Sequence, residues 1–283
     1  MASLLPACPR SDLPEEAQSC QDMFLPPGAT EASPVVSTAD GSRVALTLQL
    51  PPAAVPGTGC VSVHVEAIEE VPLSEAGEPE RLGSASYWVR ASSSGNGTPV
   101  GPLHLDFTRP LEQLAGRNVS FQLDVAAPGA ALNVTFGATL EAGEASGLPA
   151  AAADCGDSIE SRALNLVDDS GVYSDGREVS LQEGLQGSLM ITPSVEVDVG
   201  SDDATSVCAA LRLSAVVEGL AFPQNTTTGL FELERQSGTL ASGALFTPFN
   251  ASKSELSGKT VVLDAAVVTS EWRAERRLSV TLR

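Results

Sequence analysis

The chain has 283 residues, a formal net charge of −20 and only 18% charged residues, against 42% hydrophobic ones. So acidic a surface repels nucleic acid and anionic headgroups, and the even spread of apolar residues excludes an acidic disordered tail. The length allows one large domain or two of ordinary size.

The first residues, 1–19, are rich in Pro and acid and read as an N-terminal extension carrying Cys8. Leu5-Pro6-Ala7-Cys8 is a faint match to a bacterial lipobox, but the apolar stretch before it is far too short for a signal core. No signal peptide is visible at Met1, and no apolar run approaches the ~20 residues a bilayer crossing needs. The chain as given therefore reads as a mature form, an internal piece, or a protein routed unconventionally.

From Cys20 to residue 140 the pattern is one of strands. Val44, Leu46, Leu48 and Leu50 alternate with polar or small residues, a period of two that buries one face and wets the other. The turn cluster Pro56-Gly57-Thr58-Gly59 precedes Cys60, which opens the run Val61-Ser62-Val63-His64-Val65. Tyr87 and Trp88 are adjacent on a further strand, so one faces in and the other out. After the turn Ser94-Gly95-Asn96-Gly97, Leu103, Leu105 and Phe107 alternate with His104, Asp106 and Thr108. Leu111 to Ala115 can form one helical turn. Val119, Phe121, Leu123 and Val125 then alternate, and Leu132 to Phe136 follows.

Residues 141–154, small, polar and Pro/Gly-containing, read as a linker. A second unit spans 155–283. Leu114-Ala115-Gly116-Arg117-Asn118-Val119 matches Leu256-Ser257-Gly258-Lys259-Thr260-Val261 at an offset of 142 residues. Without a gap, Val119, Phe121, Leu123 and Val125 continue onto Val261, Leu263, Ala265 and Val267. Cys208 opens Ala209 to Leu213 as Cys60 opens its strand, and Leu278 to Leu282 resembles Leu132 to Phe136. The shared order of these matches reads as a tandem duplication. The expected architecture is all-β: two tandem immunoglobulin-like antiparallel β-sandwiches, 20–140 and 155–283. The resemblance is one of architecture alone, because no buried tryptophan lies between paired cysteines and the unit exceeds the usual length.

Five of the six asparagines stand in Asn-x-Ser/Thr sequons: Asn96, Asn118, Asn133, Asn225 and Asn250. Such a chain uses asparagine as an attachment point for surface glycans, which predicts the secretory pathway and an extracellular or cell-surface location. Asn118 and Asn133 fall beside inward apolar residues, Asn225 and Asn250 in loops, and Asn96, with Pro99 directly after its Thr, is the poorest acceptor. In that compartment the five cysteines pair by default. One disulfide per unit, Cys20–Cys60 and Cys155–Cys208, is the simplest pairing, though four cysteines allow three connectivities. Cys8 is left over.

No catalytic signature emerges. His64 and His104 read as exposed strand histidines; His104 and Asp106 share a face, but no Gly-x-Ser-x-Gly elbow supplies a nucleophile. Acidic turns at Asp168-Asp169, Asp175, and Asp198 with Asp202-Asp203 lack the EF-hand spacing and read as solvated. The cysteines are too scattered for zinc. No metal or cofactor is expected, and the repeat gives no reason to expect a cleft. The outward member of Tyr87 and Trp88 is the one aromatic that could serve as a contact point. The expected role is a structural or adhesive glycoprotein segment that docks other extracellular domains or copies of itself. A ligand-binding ectodomain is the alternative, and a secreted hydrolase or its accessory domain a third.

Overall fold

The computed structural model describes residues 14–20, 33–70, 80–93, 97–140, 148–156, 159–184, 187–199, 204–220 and 225–283. The first body contains β1 (Ser33–Asp40), β2 (Arg43–Leu50), β3 (Thr58–Glu69), β4 (Glu80–Ser92), β5 (Thr98–Asp106), the helical turn α1 (Leu111–Leu114), β6 (Asn118–Ala127) and β7 (Ala130–Thr139). A three-stranded sheet, β1-β2-β5, and a four-stranded sheet, β4-β3-β6-β7, share one core. The period-two alternation explains it. Val44, Leu46, Leu48 and Leu50 all point from β2 into that core, opposite Val61, Val63 and Val65 of β3.

The second body contains β8 (Glu160–Asp168), β9 (Gly171–Val172), β10 (Arg177–Val179), β11 (Gln182–Glu183), β12 (Leu189–Ile191), β13 (Ser194–Asp198), β14 (Ser206–Val217), β15 (Asn225–Gln236), β16 (Thr239–Ala241), β17 (Thr247–Phe249), α2 (Lys253–Leu256), β18 (Thr260–Val268) and β19 (Trp272–Leu282). Its main sheet runs β19-β18-β14-β15-β16-β13-β8, and a parallel pairing of β8 with β19 closes these into a seven-stranded barrel. Closure leaves the seven strands few unpaired backbone groups. Short strands β9 and β10 fringe it, and β11-β12-β17 form a small separate sheet.

The order β4-β3-β6-β7 recurs as β15-β14-β18-β19, antiparallel throughout, with a helical turn before the third strand in both. Leu114 and Leu256 are fully buried from those two turns. Ser252 and Glu255 start the second turn: the Glu255 carboxylate accepts the Ser252 N–H at 2.8 Å, which occupies a donor the helix cannot.

The two bodies are packed face to face. Strand β3 is buried along nearly its whole length, on both of its faces, and so is β14. One face of each lies in its own core. The other meets the opposite sheet, with β6 and β7 against β14 and β15, and β3 against β18.

Two short segments join the bodies by exchange. Residues 14–20 lie beside β15: Cys20 N donates to Leu230 O, and Glu232 N to Gln18 O. Residues 148–156 lie beside β4 in the same manner: Cys155 N donates to Trp88 O, and Arg90 N to Ala153 O. Trp88 and Leu230, like Arg90 and Glu232, stand at the offset that aligns the two halves of the sequence. Each body thus receives a short bridging segment from the stretch that precedes the other. This overturns the expected disulfides. The bonds are Cys20–Cys208 and Cys60–Cys155, with Cα–Cα distances of 6.1 and 5.7 Å, both ordinary for a disulfide. The reason is local: hydrogen bonding to the edges of β15 and β4 sets each upstream cysteine beside the other body's strand.

Candidate functional site

Where the sheets meet, the side chains were expected in water. Around the two disulfides Ala126, Ala210, Leu230 and Val268 form an apolar cluster that includes all four bonded cysteines, with Trp88 packed on it. Beside it lies a polar network. Arg212, only 1% exposed, donates from Nη2 to Asp264 Oδ1 at 2.9 Å and to Ser62 Oγ at 3.4 Å across the seam. Ser86 Oγ donates to Asp264 Oδ2 at 2.7 Å, and His64 Nδ1 lies 2.8 Å from Ser86 Oγ.

Burial on its own would raise the Asp264 carboxyl. The Arg212 charge, hydrogen bonds from Ser86 and Arg212, and the His64 ring outweigh it and hold the group below the ordinary carboxylate value. Asp124 goes the other way. Fully buried on β6, it takes Asn133 Nδ2 at 2.5 Å and Thr228 Oγ1 at 3.5 Å, and its Oδ2 has no close hydrogen-bond partner among the described residues. Burial raises its carboxyl above the ordinary value against the pull of Thr226, Asn133, Arg212 and Thr228.

A serine, a histidine and an aspartate are therefore in contact, but in the wrong order for nucleophilic catalysis. Ser86 spends its proton on Asp264, so His64 must donate to Ser86 and cannot accept from it. The group joins two sheets. His64 is 5% exposed, which corrects the expectation of an exposed strand histidine: the polar side of its strand is covered by the other body. His104 stays half-exposed, with Nε2 2.8 Å from Pro149 O. The paired aromatics are both engaged. Tyr87 OH donates to His104 O, Trp88 Nε1 donates to Glu275 Oε2, and Arg273 stacks over the Trp88 ring at 5.1 Å.

The sequons are placed as follows. Asn118 and Asn133 are exposed at the start of β6 and within β7, and Asn250 is exposed just after β17. Asn225 opens β15 rather than lying in a loop, and it pairs with Ala215. Asn96 and Cys8 lie outside the described residues, as do Asp202 and Asp203. No group of three or more His, Cys, Asp or Glu among the described residues is arranged to hold a metal ion.

The second body also carries a cleft of about 520 Å³, which the repeat pattern did not foretell. It opens beside β13 and the β8–β9 turn. Its wall is preformed: Arg177 stacks over Tyr173 at 4.9 Å, donates to Asp168 Oδ1 at 2.7 Å and to Gly171 O at 2.6 Å. Ser242 braces the floor, accepting Val195 N at 2.9 Å and donating to Gly243 O at 2.8 Å. Burial and the Asp168 charge raise the Tyr173 phenol well above its ordinary value, so it stays neutral.

Two disulfides mark an extracellular protein, since cytosolic thiols are kept reduced. Among the described residues no helix is long and apolar enough to cross a membrane. No protein-family model matches the chain, and no curated protein matches its sequence. Among solved structures it is similar to CBD12 from CALX1.2, at 9% identity and a TM-score of 0.19, covering 90% of this chain and 94% of that one. It is also similar to the CupB6 tip adhesin from Pseudomonas aeruginosa, at 11% identity and a TM-score of 0.17, covering 89% and 99%. Scores this low carry no functional argument. The chain is an all-β, disulfide-bonded protein whose reading rests on its own geometry.

Proposed function

We propose that the chain is a structural and adhesive module of a cell surface, matrix or filament: two tandem immunoglobulin-like β units, descended from one duplicated unit and the second closed into a barrel, that dock other extracellular domains or further copies of the chain. The observation that carries this reading is the reciprocal exchange of bridging segments, sealed by Cys20–Cys208 and Cys60–Cys155. Two domains joined by a linker alone move relative to one another by default. Two domains crossed by covalent bonds on both sides hold one spacing, as an assembly unit requires. The repeated strand order supports the duplication. The exposed asparagines at 118, 133 and 250 support N-glycosylation, whose bulk would shield edge strand β7 from unwanted pairing.

The reading is tested on protein from its native source. Intact mass before and after enzymatic deglycosylation should fall by several glycans, and beads coated with the oxidised protein should cluster or bind a matrix fraction. An unchanged mass together with inert beads defeats the proposal.

A further inference from the structure

We infer that Cys20–Cys208 is a thiol-exchange site: a dithiol opens it while Cys60–Cys155 stays closed, and the opening releases residues 14–20 from the second body. The inference goes beyond the module reading and does not depend on it. The two bonds occupy corresponding places in the fold but differ in how far solvent reaches them. Cys60 and Cys155 are 0% and 2% exposed. Cys20 is 5% exposed, whereas Cys208 is only half-buried, at the rim of the apolar cluster that holds the other three. Exchange requires a thiolate to reach a sulfur, so access decides which bond reacts in the folded chain. The buried bond reacts only after the sheets around it open, which is an event of partial unfolding.

The step balances with a dithiol as the reductant. One of its sulfurs, as the thiolate, attacks Cys208 Sγ; the bond to Cys20 breaks, and Cys20 leaves as a thiolate that takes a proton. The reagent's second thiol then attacks the mixed disulfide, frees Cys208 and closes the reagent's own disulfide. Two electrons pass from the dithiol to the protein. What the bond holds is short. Backbone hydrogen bonds seat it, from Ala17 N to Ala244 O, Ala244 N to Glu15 O, Cys20 N to Leu230 O and Glu232 N to Gln18 O. Glu15 and Glu16 of the segment share a groove with Glu232 and Glu234, and among the described residues no basic one lines it. Like charges gathered there push the segment off its seat, so the covalent bond is what keeps it down. Cys60–Cys155 then remains as the tie between the bodies.

The test uses the full oxidised chain, its free thiols blocked beforehand. Dithiothreitol is added at millimolar concentration without denaturant, and new thiols are trapped with an isotope-labelled maleimide at timed intervals. Peptide mapping should find label on Cys20 and Cys208 at a rate roughly tenfold or more above that on Cys60 and Cys155. With limiting glutathione, a monothiol, the trapped mixed disulfide should sit on Cys208. Hydrogen exchange at Ala17, Cys20, Glu232 and Ala244 should rise in the selectively reduced chain while β3 and β6 keep their protection. Cys208→Ser should show the same rise with no reductant present. Opening of both bonds at one rate, or of Cys60–Cys155 first, overturns the inference. So does a glutathione adduct on any cysteine but Cys208, or a segment that stays protected in both the reduced chain and the variant.

Discussion

Arg212 and Asp264 meet at 2.9 Å inside the seam between the two bodies, and each is held there by a residue of the other body. Ser62 takes the guanidinium and Ser86 donates to the carboxylate. Removing one charge leaves the other desolvated with nothing to offset it. Arg212→Met should therefore cost roughly 3–5 kcal/mol in denaturant unfolding. The double variant Arg212→Met with Asp264→Leu should recover most of that loss, because two apolar side chains can fill the same space without a desolvation penalty. Equal losses in the single and double variants would contradict the coupling.

The two aspartates of the seam have opposite signs against pH. Asp264 titrates below its ordinary value of 3.8 in the folded chain, so its contribution is present above that value and is lost as pH falls through the folded one. Asp124 titrates above 3.8 when folded; its contribution is present below that value and is lost as pH rises through the folded one. At neutral pH Asp124→Asn should stabilise the chain by about 1 kcal/mol, and Asp264→Asn should destabilise it. Both differences from the parent should shrink on acidification through the carboxylate range. Thermal melts across that range read the two slopes, and slopes of the same sign would refute the assignment.

Gly243 makes room for the exchanged segment. A Cβ there would stand 2.8 Å from the Ala17 nitrogen, the Ala17 Cα and the Glu16 carbonyl carbon. Ala17 is held on both sides of that contact, since Ala17 N donates to Ala244 O at 3.0 Å and Ala244 N to Glu15 O at 2.8 Å. Gly243→Ala should push the segment off and cost about 1–3 kcal/mol. Hydrogen exchange should rise at Ala17 and Ala244 while the amides of β3 and β6 keep their protection.

The exchanged disulfides determine how force would pass through the molecule. Cys20–Cys208 bridges 188 residues of sequence and encloses the whole first body. Pulled from its ends, the oxidised chain should extend only outside that loop. Full reduction should add roughly 62–68 nm of contour, at about 3.3–3.6 Å per residue over those 188 residues. Peptide mapping without reductant should yield Cys20 linked to Cys208 and Cys60 linked to Cys155. A Cys20–Cys60 peptide would contradict both measurements.

Much of the fold was legible because each strand advertises its own buried face. Val119, Phe121, Leu123 and Val125 were legible as one face of a strand, and all four are fully buried in β6. The helical turn at Leu111 was legible too. The burial of His64 was not: alternation says which residues avoid a strand's own core, and it is silent on what covers the opposite face. The cleft was equally hidden. Thr192, Ser194 and Glu196 read as ordinary polar positions until the β8–β9 turn and the Arg177 stack are placed beside them.

The sequence alone determined what depends on neighbouring residues and on composition. That is an all-β chain with period-two strands, a recurring strand pattern, and cysteines suited to an oxidising compartment. Tertiary structure decided which of three disulfide connectivities forms, that the polar faces of β3 and β14 are dry, and where a cleft opens. Those outcomes turn on edges and faces meeting far apart in sequence. Cys20 reaches Cys208 because backbone groups on β15 needed a partner, and no local pattern in either segment records that need.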